Sequence, residues 1–249
     1  SGEGPLVWDD TDSNLSFTYK IGNVPGVEDA INNAAHVIKA TIENNRVNTN
    51  AIEPRASIGI YEKGEQKYTL YGGNQGPNRV REEIAHELLK VSETKLQVIS
   101  PDVGGGFGMK GSSYGEDILV LWGAKVTGRP VKWVGDRLES FMSDSHGRDV
   151  IADCEMAFDT DGKVTGLRVS ADYNVGAYLS GSAGISPMFF SILLSGVYTI
   201  PAVDVTTRCL FTNMGATAPY RGAGRPEAAY ILERLLDIAA RELNIDPIE

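Results

Sequence analysis

Apolar residues at 27, 30, 31, 34 and 38 follow a 3.6-residue spacing, which predicts an amphipathic helix from Val27 to Ala40. The stretch EPRASIGIYEKGEQKYTLYGG (53–73) reads instead as two strands around a Lys63-Gly64-Glu65 turn. Pro77 is placed to open a helix that carries Val80, Ile84, Ala85 and Leu88 on one face. A short strand, KLQVIS (95–100), then delivers the chain into a run of glycines. Ser113 and Glu116 have capping-box spacing for a helix that ends at Thr127 before Gly128. Its body, EDILVLWGAKV, is apolar on most sides, which predicts burial against a sheet. VKWVGD (131–136) follows as a strand, and Asp149 to Tyr178 holds two β-rich runs joined at Asp159-Thr160-Asp161-Gly162. A last helix starts at Pro226 and turns Ala228, Ile231, Leu232, Leu235, Ile238 and Leu243 inward.

Strands and helices mix here without regular βαβ alternation, so the expected fold is α+β, with mixed and antiparallel sheets and packed helices. The expected organisation is a connector over 1–25 and a globular body over 26–249, with room for two subdomains dividing near 140. The chain starts with Ser1 rather than methionine and reads as a domain taken from a longer protein.

Composition agrees with a soluble globular protein: 249 residues, 42% hydrophobic and 22% charged. A net charge of −10 argues against nucleic acid or an anionic membrane as partner. Cys154 and Cys209 lack Cys-x-x-Cys spacing, so two buried free thiols are expected rather than a disulfide, a zinc site or an iron–sulfur motif. His36, His86 and His146 are scattered, which suits surface or packing roles. The longest apolar run, Ile118 to Trp122, is far short of the ~20 residues that span a bilayer. With no signal-peptide pattern, the default location is cytoplasmic.

Three loops end at predicted helix starts: YGGNQGPN (71–78), VGGGFGMKGSSYGE (103–116) and YRGAGRPE (220–227). Each would present backbone amides and a positive dipole end, and together they suit a large, anionic, hydrogen-bonding cofactor. Glycine next to a helix start also makes ordinary turns. Gly106, Gly108 and Gly111 fit the dinucleotide pattern G-x-G-x-x-G, with Asp136 ending the next strand. Against that rival, Pro101-Asp102 interrupts the strand before the loop and a hairpin replaces the next βα unit. A phosphate-binding Walker A loop fails because Met109, not glycine, precedes Lys110.

GGGFGMK, the upstream NQGPNRVREEIAHEL and the downstream APYRGAGRPEAAYILERLLDIAARELNIDP together resemble the large-subunit family of molybdenum hydroxylases. Xanthine dehydrogenases, aldehyde oxidoreductases and aerobic carbon monoxide dehydrogenases belong to it, and EPRA (53–56) is similar to its Glu-Pro-Arg-Gly. The resemblance covers essentially the whole chain and implies the first half of the molybdopterin-binding region. It implies a molybdenum–molybdopterin cofactor, in its cytosine dinucleotide form, with the metal held by the pterin's own sulfurs rather than by protein ligands. The remaining second half of the large subunit would be a partner, as would iron–sulfur (2Fe-2S) and flavin (FAD) domains or subunits.

On the same resemblance, the Gln75 amide would hydrogen-bond an oxo ligand of molybdenum, and Phe107 and Gly108 would supply backbone groups beside the metal. Gly104, Gly105 and Gly106 would admit the metal centre against bare backbone, and Arg221 with Gly222, Ala223 and Gly224 would lie against the pterin. The implied reaction is hydroxylation of an electron-poor carbon of a small molecule with water as oxygen source. The base glutamate would lie in the second half, leaving Glu227 to complement a helix dipole. Asp136, Arg137 and Glu139 would order the fold, while Lys110 would meet a phosphate or stay solvated.

Departures from the family narrow the substrate. Gly222 stands where CO-oxidising members carry cysteine, Gly111 stands where xanthine dehydrogenases carry glutamate, and the apolar SPMFFS (186–191) replaces a purine-orienting arginine. Phe189 and Phe190 are candidates to line a pocket for an aldehyde or N-heteroaromatic ring, or else belong to the core. Two other readings stay open: a dinucleotide-binding domain, and a non-catalytic relative that binds partners through an apolar surface.

Overall fold

The computed structural model describes residues 4–247. It divides the chain into two compact units, one made of residues 1–47 and 146–249 and the other of 48–145. The first contains β1 (Leu15–Gly22), α1 (Val24–Asn32) and β2 (His36–Asn44), with β3 (Val47–Asn48) at the crossing. It resumes with β8 (His146–Gly147), β9 (Val150–Phe158), β10 (Val164–Gly176), α5 (Ile185–Leu193), β11 (Ala202–Phe211) and α6 (Arg225–Leu243). The second contains β4 (Ala56–Glu62), β5 (Lys67–Gly72), α2 (Pro77–Glu82), β6 (Leu96–Ile99), α3 (Gly115–Thr127), β7 (Val131–Val134) and α4 (Arg137–Ser143). The fold is α+β, as the sequence predicts.

In the first unit five strands lie in the order β1-β11-β10-β9-β2, all neighbours antiparallel except β10 and β11. Leu167, Val169, Ala171, Tyr173 and Val175 alternate along β10 into a core closed by Phe190 of α5, by Leu194 just after it and by Ala228, Ile231, Leu232 and Leu235 of α6. Cys154 and Cys209 are buried free thiols in this core, and burial pushes both up to about 12, so neither is a reactive thiolate.

Two expectations fail here. The helix predicted over 27–40 stops at Asn32, and His36–Asn44 is a strand that pairs with β9 and buries Ile38 and Ile42. Its Val37, Ile38, Thr41 and Ile42 are β-branched, a preference the helical spacing masked. His36 therefore lies on a strand. The expected connector over 1–25 contains β1, an edge strand whose partner β11 is nearly the whole chain away, and its first three residues lie outside the described ones.

The second unit is a four-stranded sheet, β6-β5-β4-β7, antiparallel except for β5 with β6. Its core joins Tyr68, Leu70 and Leu96 to Val80, Ile84, Ala85, Val120 and Leu121. At Gly59 a Cβ would lie 2.4 Å from the Val120 carbonyl, so glycine lets α3 rest on β4. The Pro77 helix continues as a π-helical stretch, Glu83–Leu89; its wider turn leaves Leu88 exposed instead of on the buried face with Ile84. α3 buries one stripe only, and Leu119, Trp122 and Val126 face out, because a single sheet covers a single helix face. Its cap also lies one residue later than predicted: Asp117 accepts from the Tyr114 N–H at 3.1 Å, while Ser113 bonds Glu83 through its N–H at 3.0 Å.

The strand before the glycine run is thus not the start of a dinucleotide-binding βαβ unit. β7, the strand after α3, joins the far edge of the sheet antiparallel to β4. Asp136 orders the fold as expected, because its carboxylate accepts from the Glu139 N–H at 2.7 Å and caps α4. Arg137 donates to the Ile52 carbonyl at 2.7 Å.

Candidate functional site

The glycine loop is built on Glu53. Its Oε2 accepts from the Gly104 N–H at 2.8 Å and from Lys110 Nζ at 2.6 Å, and its own N–H donates to the Gly104 carbonyl at 3.1 Å. Lys110, expected to meet a phosphate or solvent, is instead 2% exposed beneath the loop. An ammonium taken out of water needs a carboxylate beside it, and Glu53 is that carboxylate.

The second support is Gln75, whose N–H donates to the Lys110 carbonyl at 2.9 Å and whose Oε1 accepts from the Gly108 N–H at 2.8 Å. That last bond fixes the amide's orientation: with the oxygen committed inward, the NH2 is the group left to donate outward. It also means that the Gly108 N–H is spent inside the loop.

These contacts revise the expected reason for the glycines. A Cβ at Gly104 would lie 2.5 Å from the Glu53 Cβ, and one at Gly106 would lie 2.5 Å from the Gln75 Oε1. Both are glycine because the protein's own side chains fill that space, whatever the loop binds. Gly105 and Gly108 each have φ +101°, the region that favours glycine. Phe107 between them takes φ +52° and stays 40% exposed, a strained position of the kind that functional loops hold.

Lys110 also holds the Glu53 carboxyl below its ordinary value of 4.5, against the opposing effect of burial and with help from the Gly104 N–H. A lowered carboxylate contributes stability that is fully present above 4.5 and is lost as pH falls through the lower folded value. Glu53→Gln is therefore expected to cost about 1–3 kcal/mol at neutral pH, since it leaves the buried Lys110 ammonium without its carboxylate although Glu53 itself is 42% exposed. Melting curves for the two proteins should draw together below pH 4.5; a gap independent of pH would refute the assignment.

In the other unit the loop Tyr220–Gly224 takes three consecutive positive φ values, +98° at Gly222, +46° at Ala223 and +91° at Gly224. A Cβ at Gly222 would lie 2.4 Å from Pro226, and one at Gly224 would lie 2.2 Å from the Ser186 carbonyl oxygen. Arg221 is exposed at the turn, and α6 begins directly after it. Phe190 is fully buried beside Tyr173 and faces the core from α5, the second of the two places open to it. Phe189 is half-buried, with the Arg225 guanidinium 4.0 Å above its ring.

Each of the three loops does run into a helix. Gln75, Gly104, Gly105, Gly106, Phe107 and Gly108 come together in one unit, while Arg221, Gly222, Ala223 and Gly224 belong to the other. Two supporting residues escaped the sequence reading. Glu53 carried a signal, the EPRA motif, but Arg148, which donates to the Arg221 carbonyl at 2.8 Å, lies 73 residues away and carried none.

Comparison with known proteins gives one answer. The family model described as the molybdopterin cofactor-binding domain matches residues 7–249. The chain is similar to the carbon monoxide dehydrogenase large chain of Hydrogenophaga pseudoflava, 32% identical over 95% of this chain and 30% of that one. It is also similar to the nicotine 6-hydroxylase large subunit of Paenarthrobacter nicotinovorans, 31% identical over 90% of this chain and 28% of that one. Among solved structures, quinoline 2-oxidoreductase from Pseudomonas putida 86 superposes with a TM-score of 0.88 at 29% identity, over 94% of this chain and 30% of that one. The chain thus spans under a third of the length of these relatives. With a family model covering nearly every residue and the same fold in its relatives, the chain belongs to the molybdopterin cofactor-binding domain family.

Proposed function

We propose that this chain is the first cofactor-binding part of a cytoplasmic molybdenum hydroxylase that oxidises an N-heteroaromatic or aldehyde carbon with water as oxygen source. The single observation that carries the reading is the Gln75 amide, whose Oε1 accepts from the Gly108 N–H at 2.8 Å and so leaves its NH2 as the donating group. The donor set fits the cofactor as well. Among the described residues no group of three His, Cys, Asp or Glu side chains is placed to hold a metal ion, which is compatible with a metal held by a dithiolene pterin.

When bound, the cofactor would supply the two-electron oxidation and the metal that activates water. The chain's part is binding and orientation. Gln75 would donate to an oxygen ligand, the 104–108 loop would present backbone held rigid from below by Glu53 and Lys110, and Arg221 with the 222–224 turn would lie against the pterin. The cofactor is expected in its cytosine dinucleotide form, with the rest of the large subunit and iron–sulfur and flavin partners completing the enzyme.

Substrate preference follows from Gly222, which leaves no thiol at the position where CO-oxidising members carry cysteine. Relatives named for nicotine, nicotinate and quinoline favour a ring-nitrogen substrate. The test is elemental mass spectrometry, with identification of the released nucleotide, on the chain alone and co-produced with the remaining large-subunit sequence. Near-stoichiometric molybdenum and CMP in the co-produced sample are expected, and replacing Gln75 with leucine should slow turnover about a hundredfold at unchanged molybdenum content. No molybdenum in either sample, from a host that makes the cofactor, would favour a non-catalytic relative.

A further inference from the structure

The segment before β9 is backbone under strain: Arg148 has φ +63° and Asp149 φ +73°, two consecutive non-glycine residues in the left-handed region. Such a pair persists only where the surroundings over-determine it. Asp149 is held by Arg46 Nε at 2.6 Å and Asn174 Nδ2 at 2.9 Å on its carboxylate, and by its own N–H to the Asn44 carbonyl at 3.1 Å. Gly147, just before, lies so close to the 220 loop that a Cβ would fall 2.3 Å from the Tyr220 Cβ.

This geometry aims the Arg148 side chain under the Arg221 turn. Nη1 donates to the Tyr220 carbonyl at 3.2 Å and to Glu227 Oε2 at 2.9 Å, and Nη2 donates to the Arg221 carbonyl at 2.8 Å. The guanidinium lies 4.7 Å from the centre of the Tyr220 ring. Glu227, fully buried, uses the same Oε2 to accept from the Gly224 N–H at 3.0 Å. One guanidinium and one carboxylate thereby hold the loop at Tyr220, Arg221 and Gly224.

We propose that Arg148 is a positioning residue, a fork that with Glu227 sets the height and angle of the Arg221 turn against the cofactor. The inference rests on the reading of that turn as a cofactor contact and extends it to a residue no sequence motif marks. Lysine in place of Arg148 keeps the charge opposite Glu227 but cannot span both carbonyls, so it separates charge compensation from loop placement.

The experiment compares wild type, Arg148→Lys and the doubly neutral Arg148→Met/Glu227→Gln, each produced with the remaining large-subunit sequence. Hydrogen exchange at the amides of residues 221–224 is expected to quicken about tenfold or more in both variants while exchange along β10 stays unchanged. At equal molybdenum content, the molybdenum(V) resonance should shift and kcat fall about tenfold, with KM within about threefold of wild type. Wild-type exchange in the loop, or loop and β10 exchange rising together, would overturn the proposal and leave Arg148 a plain stabiliser. Molybdenum missing from the wild type would instead sink the hydroxylase reading, and the exchange comparison would still decide whether Arg148 holds the loop.

Discussion

Replacing Gly224 with alanine is expected to lower the melting temperature by about 10 °C. Two costs add. At φ +91° an L-residue loses roughly 1–2 kcal/mol, because its Cβ crowds the backbone. The new methyl would also lie 2.2 Å from the Ser186 carbonyl oxygen and 2.6 Å from the Phe190 nitrogen, both backbone atoms of α5. Backbone cannot swing aside as the tip of a side chain does, so the loop or α5 must move, for about 1–3 kcal/mol more. Differential scanning calorimetry checks this; a change under about 2 °C would show that the turn relaxes freely.

The second large effect is expected at Arg55, in the other unit. Its Nε donates to Asp144 Oδ1 at 2.6 Å, Nη1 to Glu116 Oε2 at 2.8 Å and Nη2 to the Ser143 hydroxyl at 2.9 Å. The guanidinium also stacks 3.7 Å from the centre of the Tyr114 ring. One side chain thus fastens the start of α3 to the end of α4. The Asp144 side chain is 1% exposed, so Arg55→Met would strand a carboxylate with neither water nor cation, at a cost of about 4 kcal/mol. Arg55→Lys should lose about half as much, since lysine supplies the charge without the fork. Urea unfolding of both variants measures the order; a loss below about 1 kcal/mol for methionine would put this network on a par with exposed ion pairs.

Both predictions concern packing and pairing inside each unit, and the supports were the hardest part of the site to read beforehand. Gln75, the 104–108 run and the 221–224 turn were legible because their wording is local: consecutive glycines, a proline-started helix, a motif of a few letters. Their reasons were not. Gly104 and Gly106 looked like room for a ligand, yet Glu53 and Gln75 fill that room, and only coordinates show which side chain faces a missing Cβ. Lys110 looked solvated because lysine usually is; its burial depends on a partner 57 residues back.

By itself the sequence determined the α+β class, the two hairpins, the start of the last helix, the free thiols and the family. Each of these depends on neighbours in the chain or on a motif short enough to read whole. Tertiary structure alone decided that 36–44 is a strand, that residues 15–22 join the sheet at its far edge, that Trp122 faces outward, and that Arg148 lies under the Arg221 turn. The physical reason is common to all four. A strand needs a partner's backbone and a buried ion a partner's charge, and whether an apolar residue is covered depends on the surface opposite; here those partners come from segments distant in the chain.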